Sequence, residues 1–187
     1  MKTIGLTGGI ASGKSLVISE LKKIGINTIS SDEIARDVYY NSDISKRIKS
    51  IFGTLDRKKI ANIMFSDIKK RKLLEKIIHP IVIREIKRKI QNLREKNVKI
   101  VVVDVPLLFE AKIGYLFDKI IVVYCDNTNQ IKRLINRDKI NKSKAVERIG
   151  TQISLIKKVK MADYIIDNTS GKLKIRTEIK KILDKIK

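Results

Sequence analysis

Apolar residues along the chain follow two alternating rhythms. Unbroken apolar runs at 99–104 (KIVVVD) and 119–124, with a shorter one at 164–166, read as strands buried on both faces of a parallel sheet, and 2–7 reads as a short apolar strand. Three-and-four spacing takes over between them. Leu16, Val17, Glu20, Leu21 and Ile24 give a helix over 14–24, ended by Gly25, and 26–29 begins a second strand. Ser30 and Glu33 form a capping box opening a helix that runs through 34–40. Residues 43–97 carry helical spacing only. Leu73, Ile77 and Ile81 recur every four, as do Val82, Ile86 and Ile90, and Pro80 marks the first turn of a new helix. Further helices are expected over 127–138 and 142–160. A last one buries Ile175, Ile179, Ile182 and Ile186.

Strands alternating with helices predict an α/β fold in three layers, with helices on both faces of a parallel sheet. The helical stretch at 43–97 interrupts the alternation, so it reads as an insertion into one domain of 187 residues. There is no internal repeat and no low-complexity linker.

Composition changes this picture little. One cysteine, Cys125, excludes an intramolecular disulfide, and zinc-type ligand pairs are missing, as expected in a reducing cytoplasm. No run approaches the ~18 apolar residues that span a membrane. The formal net charge is +22, which raises the question of nucleic acid. Lysines are spread over nearly every segment, aromatics are 5%, and tryptophan is absent, so no stacking platform accompanies the charge. The charge is read as a general field without a specific nucleic-acid partner.

The chemistry enters at residues 8–15. Gly8, Gly9, Ile10, Ala11, Ser12, Gly13, Lys14 and Ser15 match G-x-x-x-x-G-K-[ST] in full, between a predicted strand and a predicted helix. Glycines let backbone N–H groups turn toward phosphate oxygens, and the helix N-terminus adds its positive end. Lys14 supplies a charge for the β- and γ-phosphates, and the Ser15 hydroxyl a ligand for Mg2+, so ATP with magnesium is the expected cofactor. A GTPase would also carry N-K-x-D. The nearest segment, Asn141-Lys142-Ser143-Lys144, lacks the aspartate.

The segments LTGGIASGKS (6–15), SDEIAR (31–36), LDR (55–57), HP (79–80), DVPLLFE (104–110), the stretch 133–138 and ADYIIDN (162–168) occur in one order. In these the chain resembles the dephospho-coenzyme A kinase family over essentially its whole length. The resemblance implies transfer of the ATP γ-phosphoryl group to the ribose 3′-hydroxyl of dephospho-coenzyme A. Two positions depart from the family's pattern: Ser30 stands where an aspartate is usual, and Leu16 where a threonine is.

Carried over residue by residue, the resemblance implies nucleotide binding by Gly8, Gly9, Ala11, Ser12, Gly13, Lys14, Ser15 and Leu16. Asp32, at the carboxyl end of the second strand, is the expected general base, the alternative being a helix-dipole role in the first turn. Asp104, ending KIVVVD, is expected at the metal or the acceptor. Glu110, Arg36, Arg57 and His79, the only histidine, are expected around the acceptor. Arg133, Arg137 and Arg148 are expected on a lid over about 133–158, with Arg137 reaching the transferring phosphate. Two rivals stay open. One is a nucleoside or nucleotide kinase, the other a nucleic-acid-binding ATPase that uses the charge. A cytoplasmic monomer or weak homo-oligomer is expected, with no membrane partner.

Overall fold

The structure, a computed structural model, describes residues 1–169 and 172–186, without the side chains of 62, 65, 66, 172 and 173. Five strands, β1 (Lys2–Gly8), β2 (Asn27–Ser30), β3 (Ile100–Asp104), β4 (Lys119–Tyr124) and β5 (Tyr164–Asp167), form one parallel sheet in the order β2-β3-β1-β4-β5. The helices are α1 (Lys14–Lys23), α2 (Ser31–Tyr39), α3 (Ser42–Phe52), α4 (Arg57–Ser66), α5 (Ile68–Glu95), α6 (Asn127–Asp138), α7 (Lys142–Gly150), α8 (Leu155–Lys160) and α9 (Lys172–Ile186). Contacts divide the described residues into two compact units: Met1–Ser30 with Asn92–Lys187, and Ser31–Gln91.

The first unit holds the sheet. Ile4, Leu6, Val102, Ile121, Val123 and Ile166 pack on Val17 and Leu21 of α1 and on the α9 isoleucines at 175, 179, 182 and 186. The alternate strand residues Val101, Val103 and Val122 face the other way and are equally buried. Both faces are therefore covered, as the unbroken apolar runs require. Glu20 ties α1 to α9. It is buried, it bonds Arg176 and Lys23, and these partners lower its pKa to about 2. Cys125, just after β4, is buried and free.

Strand order places the chemistry. From β1 the chain crosses to β2 on one side, and from β3 it returns to β4 on the other. The β1/β3 junction is thus a topological switch point, whose carboxyl edge is the binding edge of such sheets. A mainly apolar groove of about 660 Å3 between α1 and α9 reaches Ile26 and Ile100, at the opposite, amino edge.

The second unit is helical. Asn41 caps α3, its side chain accepting from the Asp43 N–H at 3.1 Å, and Gly53 ends it with φ 70°. Asp56 caps α4 by accepting from the Lys58 and Lys59 N–H groups at 2.8 and 3.2 Å. These bonds hold the Asp56 carboxyl below its ordinary pKa. The buried positions include Ile34, Val38, Ile48, Phe52, Leu74, Ile86 and Ile90.

Two sequence expectations are corrected. Pro80 does not begin a helix: it lies inside the 28-residue α5. A proline removes one N–H donor, but the apolar spacing continues on both sides and carries the helix through. The stretch 142–160 is two helices. Ser154 caps α8, its hydroxyl accepting from the Lys157 N–H at 3.4 Å, and residues 151–154 separate it from α7. Among the described residues no helix is long and apolar enough to cross a membrane.

Candidate functional site

At the carboxyl edge, β1 passes through Gly8 into a loop that α1 leaves at Lys14. The Ser12 N–H donates to the Gly9 carbonyl at 3.1 Å, closing a tight turn. Ala11 has φ 58° and Gly13 has φ 94°. A Cβ at Gly13 would also lie 1.8 Å from Nδ2 of Asn168, so both conformation and space demand glycine there. The Leu16 N–H donates to the Gly13 carbonyl at 3.0 Å and completes the first turn.

The loop is held from outside by side chains. Nε2 of Gln130, on α6, donates to the Ile10 carbonyl at 2.7 Å, and Oε1 of Gln152 accepts from the Ile10 N–H at 3.0 Å. Nδ2 of Asn168 donates to the Ser12 carbonyl at 2.8 Å, and Arg133 reaches the same oxygen at 3.4 Å. Arg133 in turn donates to the Asn168 carbonyl at 2.9 Å. A trans peptide sets its C=O and the next N–H in opposite directions. Fixing the Ile10 and Ser12 carbonyls therefore turns the Ala11 and Gly13 N–H groups away from these side chains. An anion cradle needs such an ordered set of donors.

Neighbouring strands bring carboxylates to this edge. Asp104 ends β3, in register with Leu6 of β1 and Ser30 of β2. Its carboxylate pairs with the Lys14 ammonium, and both side chains are mostly buried. Ser15 is exposed in the first turn of α1. Glu110 faces inward: its Oε1 bonds Lys158 at 2.8 Å and accepts from the Ile153 N–H at 3.1 Å.

The three arginines expected on a lid separate into two settings. Arg133 is bound to the phosphate loop, as above. Arg137 and Arg148 are exposed and converge on Asp138 at 2.7 and 2.6 Å. Arg137 first, then Arg148, holds the Asp138 carboxyl below its ordinary pKa. In the helical unit, Asp32 is exposed in the first turn of α2 and Arg36 in its last. Arg57 lies over the Tyr39 ring, its guanidinium carbon 6.0 Å from the centroid, and His79 is exposed on α5 beside Pro80.

Sequence reading assigned no role to Gln130, Gln152 or Lys158. They sit in helical or loop segments with no motif of their own, and only the fold brings them to the loop. Asn168 closes the segment ADYIIDN, so its position was marked but not its bond to Ser12.

The model of the dephospho-CoA kinase family matches residues 2–174. The chain belongs to the dephospho-CoA kinase family. A dephospho-CoA kinase of Carboxydothermus hydrogenoformans is 42% identical over 193 residues, covering 98% of this chain and 94% of that one. The solved dephospho-CoA kinase of Campylobacter jejuni is 31% identical, with a TM-score of 0.73 over 98% of this chain and 96% of that one. A shikimate kinase from Acinetobacter baumannii, 18% identical with a TM-score of 0.55 over 100% of this chain and 93% of that one, shares the fold alone. The dephospho-CoA kinase family carries out the final step of coenzyme A biosynthesis, with ATP as phosphoryl donor.

Proposed function

We propose that this chain moves the γ-phosphoryl group of ATP to the ribose 3′-hydroxyl of dephospho-coenzyme A, using the carboxyl edge of its sheet. The observation that carries this reading is the side-chain-held phosphate loop with Lys14 paired to Asp104 at the switch point. Phosphoryl transfer asks a protein mainly for positioning and charge neutralisation. The Ala11 and Gly13 N–H groups, the first turn of α1 and Lys14 answer to polyphosphate. Lys14 exchanges Asp104 for phosphate oxygen when nucleotide binds.

Magnesium fits the donor set. Among the described residues no cluster of three or more His, Cys, Asp or Glu could cage a metal. Mg2+ does not need one, since it is held by one or two protein oxygens together with phosphates and water. The Ser15 hydroxyl and the Asp104 carboxylate are those oxygens in this reading, and the ion bound there neutralises phosphate charge.

Asp32 takes the proton of the attacking hydroxyl. It follows Ser30, the register partner of Asp104, by two residues along the chain. Arg36, Arg57 and His79 contact the acceptor, and the insertion that carries them is its binding lobe. Within 133–158, Arg133, Gln152 and Lys158 are anchored to the loop or beside it, so the movable lid is the part between. Arg137 leaves Asp138 for the transferring phosphate as the lid closes. Exposed ion pairs are weak, so that exchange costs little. All these groups come from one chain, so a monomer or weak homo-oligomer in the cytoplasm suffices.

The test is ADP release by purified protein with MgATP and, separately, dephospho-coenzyme A, adenosine, AMP and single-stranded DNA. Turnover with dephospho-coenzyme A alone, giving a product heavier by one phosphate, is the expected result. Turnover driven by adenosine or AMP would overturn the acceptor assignment. Turnover driven by DNA would overturn the small-molecule reading.

A further inference from the structure

Lys158, on α8, is fully buried, an unusual place for an ammonium group. A buried charge is tolerated when it is paired and its donors are satisfied. This ammonium donates to the Gly8 carbonyl at 3.2 Å and to the Pro106 carbonyl at 3.4 Å, and it is ion-paired with Oε1 of Glu110 at 2.8 Å. Gly8 opens the phosphate loop. Pro106 and Glu110 belong to the segment that begins at Asp104. The Thr7 hydroxyl also donates to the Pro106 carbonyl, at 3.1 Å. The other carboxylate oxygen of Glu110 is buried with no hydrogen-bond partner among the described residues.

Packing alone does not call for a lysine here, because an apolar side chain of similar length would fill the same volume. What it could not do is hold two carbonyls on two different segments. We propose that Lys158 is a positioning residue of the phosphotransferase site, one buried ammonium that fixes the start of the phosphate loop against the segment after Asp104. The residue touches neither nucleotide nor acceptor. It acts through Gly8 and Pro106, and so sets the distance across which Lys14 and Asp104 face the transferring group. Glu110 is its counter-ion, and that explains an inward-facing carboxylate in a segment expected at the acceptor.

This inference rests on the kinase reading, and its test separates the two. Lys158→Met leaves the Glu110 carboxylate buried and unpaired, and Glu110→Gln leaves the buried ammonium without its counter-ion, so loss of stability is expected in each single variant. Lys158→Met with Glu110→Gln removes both charges together. Neutral replacement of a buried pair is commonly tolerated, so the double variant should regain most of its thermal stability. Activity should not return with it. At a temperature where all variants are folded, kcat should stay about ten- to a hundredfold down, since an ångström of misplacement is enough for that. Glu110→Gln alone leaves both carbonyls held by Lys158, so at a temperature where all variants are folded its kcat should lie above that of Lys158→Met and of the double variant.

A double variant with wild-type kcat and KM would show Lys158 to be a purely structural charge and overturn the proposal. So would Glu110→Gln losing as much kcat as Lys158→Met. Should the Met variants not accumulate as folded protein, Lys158→Leu in the Glu110→Gln background is read the same way. Affinity for a fluorescent ATP analogue is measured alongside and should weaken in the double variant. That titration needs no acceptor, so it still reads Lys158 if wild-type protein proves inactive with dephospho-coenzyme A.

Discussion

Asp32 and Asn168 stand at opposite ends of what single residues of this chain are proposed to do. Asp32 is an exposed carboxylate in the first turn of α2, and its proposed work is chemical. Asp32→Asn keeps its shape and removes its basicity. It should bind an ATP analogue with unchanged affinity while kcat falls by about two to four orders of magnitude, the usual worth of a general base. Near-normal turnover would remove Asp32 from that role. Asn168 is buried and works on geometry, its amide donating to the Ser12 carbonyl. Asn168→Asp sets an acceptor against an acceptor there. Nucleotide affinity, followed by titration with a fluorescent ATP analogue, should drop about tenfold or more, because a buried carbonyl loses its donor. Unchanged affinity would mean that Arg133 holds the Ser12 carbonyl unaided.

Elements answer to other forces, and Glu20 shows how α1 and α9 are joined. Its pKa is lowered to about 2 by the Arg176 and Lys23 groups bonded to it, against 4.5 for a free glutamate. The unfolded chain therefore binds the extra proton between these values. The clamp's share of stability is full above about pH 4.5 and lost as pH falls toward 2. Glu20→Gln should lower the unfolding midpoint at neutral pH and flatten its decline through that window, as read by thermal melts across pH. Parallel curves for both proteins would deny the clamp. The strands were legible at this scale because β1, β3 and β4 are buried on both faces and leave an unbroken apolar trace. Helix limits inside polar segments were less so. Pro80 has helical spacing on each side, which fits one helix through a proline as well as two helices meeting at it. The four residues between α7 and α8 carry no glycine or proline to mark a break. In the site, the glycine loop and Asp104 were readable because motif and strand end mark them. Gln130, Gln152 and Lys158 were not, because a side chain that supports a loop from another helix leaves no local pattern.

Across the whole molecule the charge of +22 is spread over the sequence, with aromatics at 5% and no tryptophan. Such a field attracts polyanions by counterion release, so DNA binding should weaken steeply as salt rises from about 50 to 200 mM. ADP release should not respond to DNA at any salt at which acceptor-driven turnover persists. DNA stimulation that fades in parallel with binding would reassign the charge to function.

Cys125 bears on how the proposed closure can be watched. The chain's one thiol is 1% exposed and burial raises its pKa, so at neutral pH it offers maleimide reagents almost no thiolate. A cysteine placed at the exposed Ser143 of α7 would be the sole reactive sulfur. A dye attached there reports from one known position, without first stripping native thiols from the protein. Under the proposed lid closure, its emission should change on adding nucleotide, then acceptor, in the order in which the two ligands draw the arginine-bearing segment shut.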